Sequence, residues 1–191
     1  MTAMPDLITE RLLVRPFVAT DLAAFLELLE VDPSQTDAVA SMRRYLQWAD
    51  LNHGALADVG QPPYGNRAVV HRESGDLVGS VGFVSALGPF GLLPGFVRKN
   101  VHEDALFTAE VGLYWAVSPG QRRRGFASEA AGALIRYGFD QLRLRCIVAT
   151  TESDNAASIG VMRRLGMRIE RNPRPEPEWF QVVGVAENDE A

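Results

Sequence analysis

The segment Gln121-Arg122-Arg123-Arg124-Gly125-Phe126-Ala127 constrains this chain more than any other stretch. An apolar run, Val111 to Val117, leads into it, and Ser118-Pro119-Gly120 breaks that run. A helical pattern starts near Ser128. The order predicted is strand, tight basic turn, helix. At a helix start the first amides lack intrahelical acceptors, and the helix dipole favours negative charge. Gly125 lets backbone or ligand approach closely, and Ala127 keeps the next position small. Such a turn is built to hold an anionic phosphate, so a phosphate-bearing cofactor is the first expectation.

Composition narrows the class. The 191 residues suit one domain, 1–191, with a full core. Apolar content of 47% and charged content of 23% are those of a soluble globular protein. A net charge of -5 argues against a nucleic-acid partner. The single cysteine, Cys146, rules out an internal disulfide and fits a cytoplasmic protein. It falls in a predicted buried strand and reads as core, not as an acyl carrier. Met1 to Glu10 has no basic stretch followed by an apolar run, and no segment reaches the roughly 18 to 20 apolar residues that cross a bilayer, so neither a leader nor a membrane partner is expected. His53, His71 and His102 lack metal-ligand spacing, and no metal is expected. Trp48, Trp115 and Trp179 are too scattered for a base-stacking platform and read as core or cleft wall. Neither Gly-Lys-Ser/Thr nor Gly-x-Gly-x-x-Gly is present, which disfavours a nucleotide-binding module.

Along the chain, 7–15 reads as a first strand ended by Pro16. Thr20 is the expected cap of a helix carrying Leu22, Phe25, Leu26 and Leu29 at helical spacing. A second helix is predicted over 34–51 and a loop over 54–65. A hairpin follows, with strands 66–72 and 77–85 around Glu73-Ser74-Gly75-Asp76; Gly79 and Gly82 suggest close packing or ligand approach. Residues 88–105 read as a long surface excursion, a candidate substrate lid. The helix after the basic turn extends to about Leu142 on the stripe Ala131, Leu134, Ile135, Gly138 and Phe139. A strand at 144–150, a short helix at 155–165 stopped by Gly166, and strands from Met167 and Trp179 complete the pattern. The tail, 187–191, is expected to fray.

Four of these segments together resemble the GNAT superfamily of N-acetyltransferases, in the branch of the ribosomal-protein N-terminal acetyltransferases. Thr9-Glu10-Arg11-Leu12-Leu13-Val14-Arg15-Pro16-Phe17, with Asp21 following, is similar to that branch's start. Gly75-Asp76-Leu77-Val78-Gly79, then Gly82-Phe83, is similar to its central hairpin. Arg122-x-x-Gly125-x-Ala127 resembles the acyl-CoA pyrophosphate motif, and Ser128-Glu129-Ala130 continues it as this branch does. Asn155-x-x-Ser158, then Leu165-Gly166-Met167, is similar to the second cofactor and catalytic segment. Each motif alone is weak; four in order, in the right local structure, are strong.

The resemblance implies an α+β fold: a twisted mixed sheet flanked by helices, with a splayed parallel strand pair (110–117 and 144–150) forming the acyl-CoA cleft. It implies acetyl-CoA as cosubstrate, a primary amine as acceptor, and a monomer or homodimer. Val117, Arg122, Arg123, Arg124, Gly125, Phe126, Ala127 and Ser128 would bind the cofactor, and Asn155 its pantetheine arm. Ser158 would protonate the departing thiolate. The branch's alternative acid, a tyrosine four positions later, is Met162 here and cannot donate a proton. Glu110 is the candidate base, with Glu103 and Asp104 as runners-up. A second reading stands beside this one: a non-catalytic acyl-CoA-binding or protein-interaction module of the same fold.

Overall fold

Burial alternates along Leu12-Leu13-Val14-Arg15: Leu12 and Val14 are fully buried and their neighbours half-buried, the signature of a strand with one face on a core. The computed structural model describes residues 3–96 and 107–188. In it the expected first strand is split. Strand β1 spans Leu7–Ile8 and β2 spans Leu12–Arg15, folded back antiparallel with Leu7 opposite Val14. The cause is local: the Thr9 amide donates to the Leu12 carbonyl at 2.9 Å and the Leu12 amide donates back to the Thr9 hydroxyl at 3.0 Å, which closes a turn around Glu10 and Arg11.

The other strands are β3 (Gly65–His71), β4 (Leu77–Gly88), β5 (Thr108–Val117), β6 (Cys146–Thr151), β7 (Arg168–Arg171) and β8 (Val182–Glu187). The helices are α1 (Leu22–Leu28), α2 (Thr36–Asp58), α3 (Phe126–Asp140) and α4 (Ala156–Arg164). Among the described residues, the strands form one mixed sheet in the order β1-β2-β3-β4-β5-β6-β8-β7. Strands β5 and β6 run parallel with Gly112 beside Val148, while β8 pairs antiparallel with both β6 and β7. This is the mixed sheet flanked by helices that the sequence predicts. By its contacts the chain resolves into two compact units, Met1–Phe83 with Tyr114–Leu134, and Val84–Leu113 with Ile135–Ala191.

The first unit's core gathers Phe17, Phe25, Leu28, Leu46, Ala49, Ala68 and Val70. Phe17 meets Phe25 edge-on at 5.0 Å, and Tyr45 stacks on Phe25 at 5.6 Å. Removing one such ring costs about 3–5 kcal/mol, because the cavity is only partly refilled. Helix α2 runs to Asp58 instead of ending at Leu51, so the expected loop begins later. Thr20 is not the cap of α1. Ala19–Asp21 forms a short 3-10 turn, and the buried Asp21 carboxylate takes two bonds from Arg15, each 2.8 Å, and one from the Val18 amide. Gly79 on β4 has a steric reason to be glycine: a Cβ there would stand 2.5 Å from the Ala116 carbonyl oxygen.

In the second unit, Cys146 and Val148 of β6 share a face with Val183 and Val185 of β8, and Phe90, Leu93 and Phe180 cover them. Phe90 and Leu93 lie in and beside the short turns Phe90–Leu92 and Pro94–Phe96, so the start of the expected excursion is a buried plug. Residues 97–106, which include His102, Glu103 and Asp104, lie outside the described residues. The first residues of the expected tail belong to the fold: Glu187 closes β8 opposite Cys146, and the Asn188 amide donates to the Arg145 carbonyl at 3.0 Å.

Candidate functional site

The structure sorts the predicted site residues into two groups, one in each unit. The first is the basic turn. Strand β5 ends at Val117, and the Ser118 amide donates to the Val78 carbonyl at 3.0 Å. Pro119–Gln121 then forms a 3-10 turn and Arg122 is extended. Arg123 and Gly125 both take positive φ, +63° and +86°, before α3 starts at Phe126. For Arg123 this conformation costs about 1–2 kcal/mol, a strain that persists only where the surroundings impose it. Among the described residues, none of the amides from Arg123 through Ser128 donates to a backbone carbonyl; the first that does is Glu129, to Gly125 at 3.1 Å. The Ser128 hydroxyl is buried and has no hydrogen-bond partner. Six amides without backbone acceptors at the positive end of a 15-residue helix, and the unpartnered Ser128 hydroxyl, are donors suited to an anion.

The three arginines of the turn are exposed. Arg122 donates to the Val117 carbonyl at 3.3 Å and pairs with Glu30, a surface ion pair of small worth. Arg124 bonds the Gln121 side chain and lies over the Phe126 ring, 5.0 Å from its centre. Phe126 itself is buried, with Arg11 at 4.8 Å and the His71 ring at 5.7 Å. Glu129, in the first turn of α3, accepts from Thr9 and Arg11. Burial raises its pKa, but those bonds and the Arg11 charge outweigh it, and the carboxyl is held below its ordinary value.

The second group lies in the other unit. Glu110 of β5 and Cys146 of β6 each precede the Gly112–Val148 pair by two residues, so the parallel register sets them abreast. The Cys146 thiol donates to Glu110 at 3.5 Å. Burial, and then the Glu110 charge, push that thiol up to about 11, which keeps Cys146 a neutral core group. Asn155 caps α4, its side-chain oxygen accepting from the Ser158 amide at 3.0 Å. Ser158 is half-buried and Met162, one turn on, is fully buried. His53 of α2, unassigned from sequence, is buried; burial and the Arg67 charge push it below its usual value, so it is neutral at pH 7. Among the described residues no group of three or more His, Cys, Asp or Glu is placed to hold a metal ion, and no helix is long and apolar enough to cross a membrane.

The family model described as an acetyltransferase (GNAT) domain matches residues 11–168. The chain belongs to the GNAT acetyltransferase family. Transfer of an acetyl group to an amine is the general reaction of that family. The "Uncharacterized N-acetyltransferase YnaD" of Bacillus subtilis (strain 168) is 43% identical over 63 residues, 33% of this chain and 36% of that protein. That match spans about a third of the relative's length. Among solved structures, the ribosomal-protein-S5-alanine acetyltransferase from Vibrio fischeri is similar with a TM-score of 0.68 at 16% identity, covering 97% of this chain and 98% of that one. RimL, a ribosomal L7/L12 alpha-N-protein acetyltransferase in complex with coenzyme A, is similar with a TM-score of 0.65 at 15% identity, covering 98% and 100%. These two likenesses show the fold.

Proposed function

We propose that this GNAT acetyltransferase moves the acetyl group of acetyl-CoA to a primary amine, the α-amine of a protein or peptide N-terminus or a small amine, by direct attack in a ternary complex. The observation that carries this reading is the run of six amides, Arg123 to Ser128, left without backbone acceptors at the start of α3. Those amides and the Ser128 hydroxyl would hold the diphosphate, and Arg122, Arg123 and Arg124 would raise the local attraction for it. Asn155 would bond the pantetheine arm. When bound, acetyl-CoA supplies an activated thioester. A backbone amide of β5 beyond Gly112 would stabilise the oxyanion, and Ser158 would protonate the departing thiolate. Glu110, whose carboxylate already acts as an acceptor for Cys146, is assigned the role of base. In this reading residues 1–191 work as one acetyltransferase domain, in the cytoplasm, as a monomer or homodimer.

Only an unprotonated amine attacks, which bears on the acceptor. A free α-amine has a pKa of about 7.7–8.0 and lysine about 10.4, a gap of roughly 2.5 units or about 3.4 kcal/mol of deprotonation cost. An α-amine therefore needs little help from a base, and it is the favoured acceptor. A thiol-reagent assay for released CoA, run over free-N-terminus peptides, N-blocked lysine peptides, amino sugars and small amines, tests this. Release with the free-N-terminus peptides is expected. Calorimetric binding of acetyl-CoA with no turnover on any acceptor would favour the non-catalytic module, and no binding at all would refute both readings.

A further inference from the structure

Two motifs, Thr9-Glu10-Arg11 and Ser128-Glu129-Ala130, meet in the fold, and the side chains of Arg11 and Glu129 take no part in the chemistry above. One Glu129 oxygen accepts from the Thr9 hydroxyl at 2.6 Å and from the Arg11 amide at 2.9 Å. The other takes Arg11 Nε at 2.8 Å and Nη2 at 2.6 Å. The remaining arm of the same guanidinium, Nη1, donates to the Arg124 carbonyl at 3.1 Å. The loop behind is tied down as well, because Arg72 donates to the Thr9 and Glu10 carbonyls at 2.8 and 2.9 Å. Arg11 thus spans from the first turn of α3 to the peptide that links Arg124 to Gly125.

That peptide lies between the two left-handed residues of the turn, Arg123 and Gly125. A trans peptide is planar, with its C=O and N–H pointing in opposite directions. A carbonyl held toward Arg11 therefore aims the Gly125 amide away from Arg11. Strained turns keep one shape only where neighbours over-determine it, and here the neighbours are named.

We propose that Arg11 and Glu129 are positioning residues for the acyl-CoA diphosphate. Glu129 orients the guanidinium, and the guanidinium sets the Arg124–Gly125 peptide before the anion arrives. The inference rests on the reading of the turn as the diphosphate site. Neither side chain touches the reacting atoms. The effect expected is on cofactor affinity through pre-organisation, not on the chemical step.

The test compares wild type with Arg11→Ala, Arg11→Lys and Glu129→Gln. Calorimetry measures CoA binding, thermal melts confirm folding, and steady-state kinetics use two donors, acetyl-CoA and S-acetyl-pantetheine, which lacks the diphosphate. Arg11→Ala should weaken CoA binding roughly tenfold, the scale of one lost charge-assisted hydrogen bond. KM for acetyl-CoA should rise by the same factor with kcat held, while turnover of S-acetyl-pantetheine is unchanged. Arg11→Lys cannot reach Glu129 and the Arg124 carbonyl together and should also weaken binding. The double variant Arg11→Ala, Glu129→Gln should be no worse than Arg11→Ala alone. A folded Arg11→Ala protein with wild-type CoA affinity overturns the proposal, as does an equal loss on both donors. If Arg11→Ala does not fold, Arg11→Lys and Glu129→Gln decide by the same readouts. Wild type that fails to bind CoA would bring down the diphosphate reading and this inference together; wild type that binds, with variants that bind equally, brings down only the positioning role.

Discussion

Replacing Gly125 with alanine isolates the conformational demand of the turn. At φ +86° an L side chain sits in the left-handed region, at a cost of about 1–2 kcal/mol. Space adds nothing to that cost, because the nearest atom to a Cβ at this position is Arg11 Nη2 at 3.4 Å, an ordinary contact. For a chain of this length, about 1–2 kcal/mol lowers Tm by roughly 2–8 °C. Gly120, in the same turn, is the control. It has no positive φ and no atom within 4 Å of a Cβ, so Gly120→Ala should be neutral or stabilising by up to about 1 kcal/mol. Melting both variants by circular dichroism gives the stability difference, and CoA calorimetry gives the other half of the result. If the alanine escapes strain by rotating its peptide, the stability loss shrinks and CoA affinity falls instead, about tenfold per 1.4 kcal/mol. The two losses together should therefore account for the conformational cost. Gly125→Ala with the Tm and CoA affinity of wild type would refute the reasoning, as would equal damage from Gly120→Ala.

Three further outcomes are expected. Ser158→Ala should lower kcat by about a hundredfold with calorimetric CoA affinity unchanged, and full retention of kcat would assign the proton to water instead. Glu129 is held below its ordinary value, so its stabilisation is complete above the unfolded carboxyl value of about 4.3 and is lost as pH falls through the lower folded value. The urea midpoint of wild type should accordingly drop more steeply between about pH 5 and pH 3 than that of Glu129→Gln, and parallel curves would contradict the bonding described. The thiolate absorbance of Cys146 should titrate near about 11, and Glu110→Gln should bring it down toward the usual thiol value; an unchanged titration would separate the two groups.

Legibility in the sequence followed the range of the forces involved. The strand, the basic turn and α3 were readable because Pro119, Gly120 and Gly125 mark the boundaries and the Ala131, Leu134, Ile135, Gly138 stripe repeats at helical spacing. The far end of α2 was hidden because Asn52-His53-Gly54 interrupts its apolar stripe, although Gly54 meets no neighbour and the helix passes through it. The break between β1 and β2 depends on one threonine bonding the Leu12 carbonyl, too local an event for a pattern of alternation to reveal. Asp21 follows the expected Thr20 cap, but its oxygens accept from Arg15 and Val18, a pairing that helical spacing does not reveal. Least legible was the meeting of Arg11 with Glu129, 118 positions apart, since pairing at that separation is decided by the sheet and not by local spacing.

Asn155 offers a last consequence. Its side-chain oxygen accepts from the Ser158 amide, and its NH2 group is the part of the side chain that can donate. That NH2 group can meet a molecule that brings its own lone pair, as an amide carbonyl does. Aspartate in its place would still hold the start of α4, yet would turn a welcoming hydrogen into a repelling charge. One substitution would thereby separate the cap that Asn155 provides from the cofactor contact proposed for the same side chain.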